Sequence, residues 1–237
     1  MLEELNDSLS WIISQTKNNI PILEVILLIP WLFFFVSQVY KKILLLGIIP
    51  RHLRGLPGIM LAPLLHSNFN HIFFNSIPLV VLSNFILING LNYYLVVTVM
   101  ITFLSGIAIW CFAKPGLHVG ASGLITGYWV FLVSNIYQSG TLTTIILGVI
   151  SLYYFAGIFF GIFPRDKGVS WEAHLFGLLA GLATSYLFVL YPNCYKQSKC
   201  KLMVYKILWL FTSYSFEPQN VRFSNPGTQK IRAAWTR

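Results

Sequence analysis

The chain has 237 residues and a formal net charge of +9, and it is 56% hydrophobic but only 10% charged; its mean hydropathy is +0.70. A soluble domain carries roughly 25% charged residues, so this chain lacks the charge to cover a water-facing surface, and lipid is the solvent that fits its long apolar runs. The basic residues are not interleaved with aromatics on a polar face, which argues against nucleic acid as a partner; anionic lipid head groups suit the excess of Lys and Arg.

A spanning helix needs about 20 apolar residues, and six segments qualify. They run over about 20–46, 71–91, 92–112, 120–138, 141–163 and 171–191. The breaks carry turn chemistry: Asn89-Gly90, Lys114-Pro115-Gly116, Ser139-Gly140, Pro164 and Pro192. The pattern predicts an all-α polytopic membrane protein. Residues 1–19 form an N-terminal segment, 20–192 the six-helix membrane domain, and 193–237 a basic tail. The acidic start (Glu3, Glu4, Asp7) does not read as a cleavable signal peptide.

The stretch Gly47–Asn70 is half apolar, is punctuated by Pro50, Gly55, Pro57, Gly58 and Pro63, and carries Arg51 and Arg54. It reads as a structured loop lying partly in the membrane interface, where protein or water must satisfy its backbone. In the tail, Lys196, Lys199, Lys201 and Lys206 surround the apolar run 202–211, which predicts an interfacial amphipathic helix that meets anionic lipid. Residues 216–237 are polar and read as disordered. Cys111, Cys194 and Cys200 make neither a disulfide framework nor a zinc site.

Charge does not decide orientation. Six spans put both termini on one side, with nine basic residues there and seven on the other, and counting only charges near helix ends reverses the order.

Polar residues inside the membrane are functional candidates by default, and three places stand out. Gly120-Ala121-Ser122-Gly123 opens the fourth span. A serine at a helix N-terminus sits beside outward-pointing N–H groups that favour developing negative charge, which suits an acyl-transfer nucleophile. Taken alone, the same residues with Gly127 also read as a helix-packing face. His174 opens the sixth span and shares a face with Gly177 and Gly181. If that small-residue face meets the fourth helix, His174 can act as base for Ser122; the other reading is a histidine bonded to a carbonyl. His71 and Asn75, spaced i, i+4, share a helix face and supply two neutral donors for an oxyanion, or a packing hydrogen bond. Taken together, the three make a complete acyl-transfer site with no metal and no cofactor. Glu172 faces away from His174 around the helix, so a Ser–His dyad is expected.

These residues resemble the rhomboid family of intramembrane serine proteases. The resemblance rests on His71-Ile-Phe-Phe-Asn75, Gly120-Ala-Ser122-Gly123 and Ala173-His174-Leu-Phe-Gly177-Leu-Leu-Ala-Gly181, in family order on the expected spans, from about residue 48 to 191. It implies a rhomboid-like bundle with a short central fourth helix. Ser122 would be the nucleophile and His174 the base, with an oxyanion hole from His71, Asn75 and the Ser122 N–H. Gly120, Gly123, Gly127, Gly177 and Gly181 would pack helices near the site. It further implies single-span membrane proteins as substrates and a bacterial inner-membrane location, with cytoplasmic termini and a cavity opening outwards. Three positions depart from the family's habits: Thr126 stands where an aromatic commonly stacks on the histidine, Val169 where a glycine is common, and the first loop lacks a Trp-Arg pair. The alternatives are a non-catalytic rhomboid-like factor that binds membrane proteins and a small transporter.

Overall fold

A computed structural model describes residues 2–163 and 170–190. Its helices are α1 (Leu2–Val39), the single turn α2 (Gly58–Leu61), α3 (Phe69–Leu87), α4 (Leu91–Phe112), α5 (Ser122–Ser139), α6 (Leu142–Phe155) and α7 (Trp171–Leu190). Five are long and apolar enough to cross a membrane: α1, α3, α4, α7, and α6 with the 3-10 segment that continues it to Ile162. The chain is thus an all-α polytopic membrane protein. The expected tail helix over 202–211 lies outside the described residues.

The helix expected to be the fourth span, α5, is not among these five; it has 18 residues, and ten in succession, Gly123–Leu132, are buried. A stretch buried on every side lies in the middle of the bundle, and α5 is that hub. Tyr128 and Phe131 are fully buried at the core's centre. The Tyr128 hydroxyl shares a 2.6 Å hydrogen bond with Thr98 Oγ1 on α4, which satisfies a polar group that lipid could not.

The α5–α7 contact depends on missing side chains. A Cβ added at Gly177 would collide with the Gly123 carbonyl, and one at Gly181 with the Gly127 carbonyl. In the other direction, a Cβ on Gly123 would lie 2.9 Å from the Ala173 oxygen, and one on Gly127 3.0 Å from the Gly177 oxygen. The backbones therefore touch, as small-residue membrane interfaces allow. Gly120, expected on the same packing face, instead precedes the helix at φ +120°.

The first span differs from the sequence reading at both ends: its α-helix stops at Val39, not near residue 46. The first helix begins at Leu2, not near residue 20. At 38 residues it is about 57 Å long, nearly twice a bilayer's hydrocarbon core of about 30 Å. Hydropathy ends where polar residues begin, but a helix has no reason to stop there. Asn19 belongs to the bundle: it donates to Asn84 Oδ1 on α3 at 3.2 Å, and Asn84 Nδ2 donates to Thr16 at 2.8 Å. The fifth span changes to 3-10 geometry from Ala156 to Ile162.

The first loop is ordered by short turns at Leu53–Gly55, α2 and Ala62–Leu64. It closes over the C-terminus of α4, whose last carbonyls need donors. The Arg51 N–H donates to the Trp110 carbonyl at 2.9 Å, and its guanidinium reaches the Cys111 carbonyl at 3.4 Å. The Trp110 indole in turn donates to the His52 carbonyl at 2.9 Å. Arg51 sits at φ +60° to do this, a conformation costly for a non-glycine.

Replacing Gly177 by Ala should push α5 and α7 apart and lower stability by about 1–3 kcal/mol. Thermal unfolding in detergent reads this as a drop in Tm. Gly157→Ala is the control, because nothing lies within 4 Å of its Cβ position and Tm should hold.

Candidate active site

One end of the bundle gathers the ends of α1, α4 and α6, the starts of α3, α5 and α7, and the first loop. A cavity of about 600 Å³ opens there, and Ser122, His174, His71 and Asn75 all line it. Each of the four is partly exposed, so small molecules can reach them.

Ser122 is the first residue of α5, with Ala121 at the N-cap. The preceding segment is pinned by its backbone: Gly120 N–H donates to the Ala62 carbonyl at 2.9 Å, and His118 and Ile48 exchange bonds of 3.0 and 2.9 Å. The first N–H groups of α5 have no partner inside the helix and adjoin the Ser122 hydroxyl. Thr126 turns its hydroxyl back to the Ser122 carbonyl at 2.8 Å.

His174 lies one turn into α7, next to the Ala173 carbonyl that abuts Gly123. Its Nδ1 is 3.2 Å from the Ser170 carbonyl. A carbonyl only accepts, so Nδ1 carries the proton, and Nε2 keeps the lone pair that a general base needs. Glu172 does not touch the ring; it meets the Ser170 hydroxyl at 3.4 Å. No aromatic covers the imidazole from position 126. Gly161 does so instead: a Cβ there would lie 2.8 Å from His174 Cδ2. The Ser122 and His174 side chains share the cavity without a hydrogen bond between them. Catalytic contacts are commonly loose until substrate binds.

His71 is held at the start of α3 by the N-cap residue Asn68, whose Oδ1 accepts the His71 N–H at 2.9 Å. The His71 ring packs against Gly120 so closely that a Cβ there would fall 2.5 Å from Nε2. This close approach, together with φ +120°, is why glycine stands two residues before the serine.

Sequence reading missed His66. It is 1% exposed, and its ring stands edge-on to His71 at 5.0 Å between centroids. Its Nε2 lies 3.1 Å from Asn75 Nδ2 and accepts the Ala121 N–H at 3.4 Å. Both partners are donors, so Nε2 is unprotonated and the proton sits on Nδ1. Nδ1 is buried without a hydrogen-bond partner. His66 therefore orients Asn75 and the backbone entering α5 together. It lies in a loop outside helical periodicity, so only its closeness to His71 in the chain could have flagged it.

Burial, and then the nearby His71, push the His66 pKa from 6.5 down to about 4. The unfolded chain takes up a proton there below 6.5 and the folded chain only near 4. Its contribution to stability is thus complete above pH 6.5 and is lost as pH falls from 6.5 towards 4. His66→Phe should flatten that limb of a Tm-against-pH curve; a limb of unchanged slope would count against this role.

The Rhomboid domain family model matches residues 54–191. An uncharacterized protein of Mycobacterium tuberculosis is 37% identical over 152 residues, covering 60% of this chain and 62% of its own length. An uncharacterized protein of Mycobacterium bovis matches to the same extent. One from Mycobacterium leprae is 36% identical over 140 residues, 55% of each chain. The chain thus spans less than two thirds of the length of the curated relatives it matches. With the family model covering more than half of its residues, the chain belongs to the rhomboid family.

Proposed function

We propose that the protein is an intramembrane serine endopeptidase that cuts membrane-spanning segments through a Ser122–His174 dyad. The observation that carries this reading is one shared cavity lined by a hydroxyl, an imidazole and two neutral hydrogen-bond donors. Each supplies what acyl transfer requires.

In the proposed reaction, Ser122 Oγ attacks the scissile carbonyl carbon while His174 Nε2 takes its proton. The carbonyl oxygen becomes an oxyanion held by His71, Asn75 and the Ser122 N–H, at the positive end of α5. The C–N bond then breaks as His174 returns the proton to the leaving amine, leaving an ester on Ser122. Water, deprotonated by His174, attacks the ester, and the proton goes back to Ser122 as the acid departs. The Ser170 carbonyl on Nδ1 keeps the ring in the tautomer these steps need and stabilises the imidazolium formed in each half-reaction.

The site's place among membrane-spanning helices supports, as substrate, a single-span membrane protein whose segment unwinds near one end, since a helix hides its carbonyls in hydrogen bonds. Family likeness further supports a bacterial inner-membrane location, cytoplasmic termini and a cavity facing outwards, and the charges of Lys196, Lys199, Lys201 and Lys206 suit anionic lipid as partner of the basic tail.

In proteoliposomes with a single-span substrate, Ser122→Ala should abolish cleavage while Tm stays at the wild-type value. Cleavage at the wild-type rate by that variant would reject the scheme in favour of a binding role. Asn75→Ala should lower kcat by roughly 10²–10³-fold, the usual loss for one oxyanion donor, with a smaller change in KM. Gly120→Ala should cost activity by displacing His71, and a variant as active as the wild type would remove His71 from the oxyanion site.

A further inference from the structure

We propose that His118 and Ser170 form a positioning bridge that sets the register between nucleophile and base. The proposal rests on the protease reading of Ser122 and His174.

The two residues sit on the two arms that carry the dyad. His118 lies in the segment leading into α5, four residues before Ser122. Ser170 immediately precedes α7, four residues before His174. His118 Nδ1 is 2.9 Å from Ser170 Oγ, across 52 residues of chain. Each end of this bond is anchored. The His118 backbone is paired with Ile48 of the first loop in both directions. Ser170 Oγ accepts the Ala173 N–H at 3.3 Å, and the Ser170 carbonyl holds His174 Nδ1. A shift of Ser170 therefore moves the imidazole, and a shift of His118 moves the entrance to α5.

The glycine contact between α5 and α7 explains why such a bridge is needed. Backbone pressed on backbone fixes how near the helices lie. It offers few side-chain knobs to stop one helix sliding or turning against the other. A hydrogen bond at the mouth of the cavity supplies that missing constraint, beside the reacting groups.

The second ring nitrogen of His118 fixes which tautomer the bridge uses. His118 Nε2 lies 3.1 Å from the Lys114 carbonyl, an acceptor, so Nε2 carries a proton. In the neutral ring, Nδ1 then accepts the Ser170 hydroxyl proton. The Ser170 Oγ also lies 3.4 Å from Glu172 Oε2 on α7. The Lys114 ammonium lies over the Trp171 ring, 5.7 Å from its centroid, so this cation is engaged with α7 as well.

The test is a double-mutant cycle in the full chain, reading kcat and KM for cleavage in proteoliposomes, the rate of Ser122 labelling by a fluorophosphonate, and Tm. A misplacement of about 1 Å can cost on the order of 10²-fold in rate. His118→Leu and Ser170→Ala are therefore each expected to lower kcat and the labelling rate by about 10–100-fold with KM within about twofold. The double variant should be no slower than the slower single one, because both remove the same bond. Ser170→Thr, which keeps the hydroxyl, and His118→Asn, whose amide can take the place of Nδ1, should restore most of the loss. Singles that match the wild type overturn the bridge, as do losses that multiply in the double variant or a rate unrestored by Ser170→Thr in a protein of wild-type Tm. A wild-type protein that neither cleaves nor labels overturns the protease reading itself, and the bridge with it.

Discussion

Gly177 and Gly181 on α7 press against the carbonyls of Gly123 and Gly127 on α5, with no room for a methyl group between. The geometry of the site depends on that contact. Ser122 immediately precedes Gly123, and His174 lies one turn before Gly177, so closing the glycine face brings the two functional ends to one cavity. Hydrophobic burial gives helices in lipid little reason to associate; close van der Waals approach does. The glycines thus serve packing and chemistry together. The polar ends they expose are protected by lying inside the bundle rather than against lipid.

The cavity's remaining wall is built from loops that compensate for irregular backbone. Between α1 and α3 the chain has only short turns, and its amides and carbonyls find partners on α4 and on the segment before α5: Arg51 on Trp110, Ile48 on His118, Ala62 on Gly120. These bonds brace the approach to Ser122 from behind. His66 adds a buried acceptor that holds Asn75 and the Ala121 amide at once. His174 is held by the Ser170 carbonyl and the flat surface of Gly161. That is a different solution from an aromatic stack, and it fits a chain with Thr126 at that position.

What could be read from the sequence was what repeats along one helix. The i, i+4 spacing of His71 and Asn75, and the i, i+3, i+7 placement of Gly177 and Gly181 relative to His174, are helical periodicities, and the apolar runs located every long helix to within a few residues except the first. The start of α1 was missed because hydropathy measures the lipid-facing length, whereas Leu2–Thr16 continue the same helix beyond it. His66, His118 and Ser170 were not legible because their roles arise between segments: His66 joins α3 to the entrance of α5, and His118 meets Ser170 only when the bundle has closed. Gly120 looked like a packing residue, but its left-handed backbone and contact with His71 belong to tertiary structure.

The central claim is that the position 122 hydroxyl is a nucleophile activated by the position 174 imidazole. The most direct measurement is peptide mass spectrometry on membranes treated with a fluorophosphonate, comparing the intact protein with His174→Ala. The account predicts a phosphonyl adduct on Ser122 in the intact protein and its near-complete loss in the variant. An adduct on another serine, or Ser122 modified equally fast without His174, would contradict it.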